Sequence, residues 1–208
     1  VVVYWMTAAR RAQWNHALQH AVDLAKQHNV PLVVIECLAL QHRWANDRIS
    51  TFVLQGMVDN RAAFDGTTVT YIPYVETKRK QASGLLKGWL EHARACVIDD
   101  YPTYYPKHVL NVALSVIPCE IHVVDSNGFM AMRAQGRDFS TAYSLRRHLH
   151  KTIREHMHEF PQRRPLEAAT GLPPADPALV KAIFAQTNTP ITPYDFLWRV
   201  SEGGDLGR

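Results

Sequence analysis

The chain is poor in the glycines that α/β proteins use to grip phosphate. It opens VVVYWMTAARRAQWNHAL, an apolar run leading into an amphipathic pattern, and the turn between them, Thr7-Ala8-Ala9-Arg10-Arg11, holds no glycine. Dinucleotide-binding turns at this place need glycine so that backbone N–H groups can approach a pyrophosphate. That fingerprint is excluded here. A Walker loop, a Ser-Gly-Gly-x-Asp loop and a Gly-x-Ser-x-Gly elbow are also missing, which removes the common phosphate-handling and serine-nucleophile chemistries. No residue set amounts to a catalytic constellation.

Cysteine is scarce too. Cys37, Cys96 and Cys119 are odd in number and widely spaced, with no Cys-x-x-Cys. A disulfide framework and a thiolate metal site are not expected, and the three read as reduced, buried thiols of a cytoplasmic protein. His148, His150, His156 and His158 crowd one late segment. None of them pairs at the i, i+4 spacing of a helical metal site, so no metal is expected there. No apolar run reaches about 18 residues, so no membrane partner is expected. The N-terminus lacks a signal-peptide pattern and a Met, and the true start is expected upstream. The net charge of +4 permits a nucleic-acid partner without demanding one.

What the sequence does have is alternation. Continuous apolar runs at 1–6, 31–37, 68–75, 95–99 and 119–124 predict five strands covered on both faces. Between them the period turns helical. Trp14, Leu18, Ala21, Val22 and Ala25 form one stripe. Ile49, Phe52, Val53, Gly56, Met57, Asn60 and Phe64 form a second, which begins after the cap residues Asn46 and Asp47. Leu85, Leu86, Trp89, Leu90 and Ala93 form a third, and Val109, Val112, Ala113, Val116 and Ile117 a fourth. The expected fold is α/β, an open, doubly wound, five-stranded parallel sheet of Rossmann-like type. Residues 1–135 make this domain. A loop from Asp125 to Arg137 is expected to carry a short strand at Gly128–Met132, and residues 136–208 are expected to hold a helix from about Ser140 to Glu159 and a Pro-rich linker interrupted by a short helix at Pro177–Gln186.

In such sheets ligands sit beyond the carboxyl ends of the strands. That rule points to Met6, Thr7, Arg10, Glu36, Asp100 and Tyr101 as the candidate binding set. Tyr101 offers a ring for stacking, Asp100 a hydrogen-bond acceptor, and Arg10 a partner for an acidic group. The plainer alternatives stay open. Asp99 and Asp100, pointing to opposite faces, are equally helix caps or crevice lining. Tyr101, Tyr104 and Tyr105, set around Pro102 and Pro106, are equally a packed loop. The basic stripe Arg146, Arg147, Lys151 and Arg154 reads as a solvated or docking face.

Four ordered stretches carry a resemblance. The strand Tyr4-Trp5-Met6, an arginine-bearing turn and a helix with Asn15, Ala17 and Leu18 come first. Then follow YIPYVET at 71–77, VVDSNGFMAM at 123–132 with Asp125 and Asn127, and TAYSLRRHL at 141–149 with Ala142 and Arg146. Together they resemble class II DNA photolyases over about residues 1–155. The family's first turn carries an Arg-Asp pair, where this chain has Ala8-Ala9-Arg10-Arg11.

The resemblance implies the N-terminal α/β domain of a light-driven repair enzyme. Its partner domain, helical and C-terminal, would hold FAD and receive a flipped pyrimidine dimer from damaged DNA. The terminal SEGGDLGR looks like the opening of that flavin domain. The α/β domain itself would hold a small aromatic antenna chromophore, a deazaflavin or a folate. The chain alone would then be inactive. The competing expectation is a free-standing Rossmann-like domain that binds a nucleotide or a partner. A fold-back of the tail after Pro161 would favour it.

Overall fold

The computed structural model describes residues 1–40, 45–76, 78 and 84–186, without the side chains of 104–106 and 116. The side chains of Tyr104 and Tyr105, the turn at 189–190 and the terminal Gly-Gly stretch therefore lie outside the description. Among the described residues β1 (Val2–Met6), β2 (Leu32–Ala39), β3 (Thr70–Glu76), β4 (Ala95–Asp100) and β5 (Glu120–Asp125) form one sheet. Every pairing is parallel and the order is β3-β2-β1-β4-β5. The expected doubly wound α/β sheet is present. The chain reverses its direction of travel between β1 and β4, and there a crevice opens at the carboxyl edge.

Helices α1 (His16–His28) and α2 (Asp47–Phe64) cover one face, and α3 (Leu85–Glu91) and α4 (Tyr104–Val116) the other. Alternation along β1 sends Val2, Tyr4 and Met6 toward α1, and Val3 and Trp5 toward α3 and α4. Fully buried Leu18, Leu32, Ile35, Trp89 and Leu90 fill the two layers. Each such side chain contributes ~1.5–3 kcal/mol on leaving water. Asn15 caps α1 by accepting the Leu18 N–H at 2.9 Å, and Asn46 caps α2 through the Ile49 N–H at 2.9 Å.

Two stripes are rotated from their expected positions. On α2, Ile49 and Phe52 face solvent, Phe52 at 76% exposure, while Ser50, Leu54, Met57, Val58, Asn60 and Phe64 are buried. Met57, Asn60 and Phe64 of the expected stripe are buried, and Ser50, which a count of apolar residues undervalues, joins them. On α4, Val112 is exposed and Leu110 and Ala113 face the sheet. Gly128–Met132 forms no strand; a 3₁₀ turn at Met132–Gln135 follows instead, because Asp125 draws the Met132 N–H back at 2.7 Å.

Helix α5 (Ala142–His156) buries no residue completely. The stretch read as a Pro-rich linker touches both faces. A 3₁₀ turn at Pro165–Ala169 lies on α1, with Ala169 and Leu172 in the core beneath it. Helix α6 (Pro177–Gln186) lies on α3, where Ala175, Ile183 and Phe184 join the opposite core. Among the described residues no helix is long and apolar enough to cross a membrane.

Candidate ligand site at the carboxyl edge of the sheet

The glycine-free turn after β1 is built around a carboxylate. Asp99, near the end of β4, places Oδ2 at 2.8 Å from the Thr7 N–H, 2.7 Å from Ala8 and 3.1 Å from Ala9. Its Oδ1 accepts the Tyr4 hydroxyl proton at 2.9 Å. Three successive amides aimed at one point form an anion-binding nest. Asn15 locks the arrangement. Its Nδ2 lies 3.1 Å from the Tyr4 oxygen, 2.8 Å from the Ala9 carbonyl and 2.9 Å from the Arg11 carbonyl. Burial, and then the Asp99 charge, hold the Tyr4 phenol well above its ordinary range.

A second buried carboxylate lies one strand over. Glu36, 1% exposed, pairs with the Arg10 guanidinium at 3.1 Å. It also accepts the Asn60 amide at 2.9 Å and the Tyr71 hydroxyl at 2.6 Å. Arg10 donates further to the Thr7 carbonyl at 3.2 Å and the Cys37 carbonyl at 2.7 Å. Burial raises the Tyr71 phenol, with the Glu36 charge as the next cause. Burial pushes the Cys37 thiol up to about 12, which favours its protonated form at neutral pH.

Asp100 points to the other face, as alternation requires. Arg133, a mostly exposed side chain, reaches it at 2.7 Å, and the Asn127 amide binds the Asp100 carbonyl at 2.8 Å. Asp125 takes the Asn127 N–H at 2.8 Å. The Asp-x-Asn segment thus pins the loop after β5 to the end of β4.

These groups border two cavities. One, about 270 Å³, has Trp5, Ile35, Leu85 and Leu86 as apolar wall and Thr7 and Arg10 at its polar side. The other, about 600 Å³, is lined by Asp100, Tyr101, Lys107, Asn111, Arg133 and Arg137. The six expected site residues therefore divide. Thr7 and Arg10 line the first cavity, and Asp100 and Tyr101 the second. Met6 and Glu36 lie buried below the edge, where Met6 Sδ receives the Asn60 amide at 3.8 Å. Sequence reasoning missed Asn60, Tyr71 and Arg133 and gave Tyr4 no role at the site. Their partners are remote in the chain, and only Asn15, as a helix cap, left a local signal. It missed as well the contact of His20 Nε2 with His122 Nδ1 at 3.1 Å, between α1 and β5. Among the described residues no group of three or more His, Cys, Asp or Glu side chains is placed to hold a metal.

The fold and the edge cavities define the class: a Rossmann-like α/β domain with small-molecule-sized space over its strand ends. In sequence part of the chain is similar to two curated photolyases. It is 29% identical over 126 residues to the deoxyribodipyrimidine photo-lyase of Methanothermobacter thermautotrophicus, a match covering 61% of this chain and 27% of that one. It is 25% identical over 170 residues to the deoxyribodipyrimidine photo-lyase of Arabidopsis thaliana, covering 79% of this chain and 33% of the relative. The matched region thus spans a third or less of the length of these curated relatives. No protein-family model matches the chain.

Proposed function

We propose that this chain is the N-terminal α/β domain of a class II photolyase-like protein, and that it holds a flat antenna chromophore at its carboxyl edge. In this reading FAD and the damaged DNA belong to a further helical domain of the parent protein. There, light absorbed by the antenna would reach the flavin, and the excited reduced flavin would split the pyrimidine dimer. The observation that carries the reading is the coincidence of photolyase similarity with an apolar cavity at the end of β1. Trp5, Ile35, Leu85 and Leu86 offer faces to a conjugated ring. The Thr7 side chain and the outer side of Arg10 offer polar contact at its rim. Asp100 and Tyr101, across α4, suit a second part of an extended ligand.

Titration of the purified chain with a deazaflavin and with a folate, followed by ligand fluorescence, tests this. Leu86→Trp fills the apolar cavity and is expected to weaken binding by about tenfold or more, because it takes the space of the ring. The pair Asp100→Ala and Tyr101→Ala reports on the other cavity. If the unmodified chain takes neither ligand, the antenna reading fails.

One observation favours a second reading, a free-standing partner-binding domain. The tail folds back and seals both faces with Ala169, Leu172, Ala175, Ile183 and Phe184. A folded, chromophore-free chain that is stable alone supports that alternative.

A further inference from the structure

We propose that the first strand-to-helix turn is a phosphate site plugged by the chain's own Asp99, so that Asp99 excludes nucleotides from this edge of the domain. The inference goes beyond the chromophore reading and does not depend on it. Two independent observations meet here. In a Rossmann-like sheet, a nucleotide is held by amides of the turn after β1 and by an acidic side chain at the end of β2. The amides are present in this chain and already engaged, and the acid that β2 carries, Glu36, lies three residues short of the strand's end and is engaged as well. The amides of Thr7, Ala8 and Ala9 converge on Asp99 Oδ2 at 2.7–3.1 Å. The acid of β2, Glu36, is buried under Arg10, Asn60 and Tyr71.

An incoming phosphate meets three obstacles. The nest holds one anion, and that anion is covalently part of β4 and almost wholly buried. A second anion beside it would face like-charge repulsion in a water-poor setting. The nearest cation, Arg10, directs its Nε, Nη1 and Nη2 to Thr7, Glu36 and Cys37. Glycine is dispensable in this turn for the same reason. A carboxylate reaching across from β4 needs less room than a nucleotide diphosphate, and alanine Cβ atoms at positions 8 and 9 do not obstruct it. The ligands admitted at this edge are therefore those that place no phosphate at the turn.

The test is substitution of the plug. Asp99→Ala empties the nest, and Asp99→Asn leaves a neutral side chain in it. Thermal midpoints are measured in inorganic phosphate and in chloride at equal ionic strength, with the unmodified chain as the baseline for general salt effects. Amide resonances of Thr7, Ala8 and Ala9 are followed through the same titration. The Asp99→Ala protein is expected to lose stability in chloride and regain it in phosphate, with saturation and movement of those three amides. Its apparent phosphate affinity should exceed that of the unmodified chain by about tenfold or more. Asp99→Asn should be destabilised without rescue, and adenosine diphosphate should leave the amides of the unmodified chain unmoved. The proposal is overturned if Asp99→Ala gains no more from phosphate than the unmodified chain, or folds in neither salt. Equal rescue of Asp99→Asn, or nucleotide binding at these amides in the unmodified chain, overturns it as well.

Discussion

Glu36 shows how a charge survives inside a parallel sheet. Its two oxygens receive Arg10, Asn60 and Tyr71, so the cost of removing it from water is offset by a full set of donors. Glu36→Gln keeps the shape and removes the charge. Arg10 then loses its ion pair while staying only 27% exposed at its side chain. We expect a loss of about 2 kcal/mol, below the range for a wholly buried pair because Arg10 reaches water. A lower urea midpoint with unchanged slope checks it. His20 gives a pH dependence. Burial, and then the neighbouring His122, lower its pKa below the ordinary 6.5, while Asp23 pulls the other way. As the medium is acidified the unfolded chain therefore takes up this proton before the folded one. The contribution of the neutral ring is fully present above 6.5 and is lost as pH falls through the lower folded value. Urea midpoints from about pH 7.5 down to about pH 5 should fall, and fall less in His20→Gln. Equal falls in both proteins would remove His20 from the cause.

At the scale of elements, the tail separates burial from composition. Proline and glycine mark where the chain turns, and they carry no information about what the intervening residues touch. Phe184 of α6 packs against Tyr74 with ring centroids 6.4 Å apart, and it is almost fully buried. Phe160, at the end of α5's segment, is 61% exposed. Phe184→Ala should cost about 3 kcal/mol, and Phe160→Ala should stay within about 0.5 kcal/mol. Denaturant unfolding of the two variants decides the matter. A negligible effect at Phe184 would make α6 a loosely held linker helix, and the domain would then end near residue 135. Helix α5 makes the opposite case. Its outward Arg146, Arg147 and Lys151 are all exposed, which agrees with a solvated or docking face.

For the whole molecule, electrostatics set an upper bound on nucleic-acid affinity. A net charge of +4, with acidic residues interspersed, gives counterion release but no groove-reading element. The isolated chain is expected to bind DNA only at about 10⁻⁴–10⁻⁶ M near physiological salt, and more weakly as salt rises. Submicromolar, salt-resistant binding to dimer-containing DNA would contradict this. On the proposed reading, which places FAD in a further domain, the same preparation should carry no stoichiometric flavin. Visible absorbance of the purified protein reports that directly.

The order of strands and helices was legible in the sequence because burial on both faces writes itself as unbroken apolar runs, such as Leu32–Cys37 and Ala95–Ile98. The cap Asn46 was legible too, since a cap bonds within three residues of itself. The opposite aims of Asp99 and Asp100 followed from strand alternation alone. Tertiary structure decided the rest. Asp99 meets the turn across 90 to 92 residues of chain, and Glu36 meets Tyr71 across 35, so no local pattern announces either contact. At the start of α2 the sheet buries Ser50 in place of Ile49 and Phe52, a choice that depends on what the folded sheet presents to the helix. The turn's lack of glycine was plain from the first line; its reason, a carboxylate delivered from β4, exists only once β4 lies beside β1.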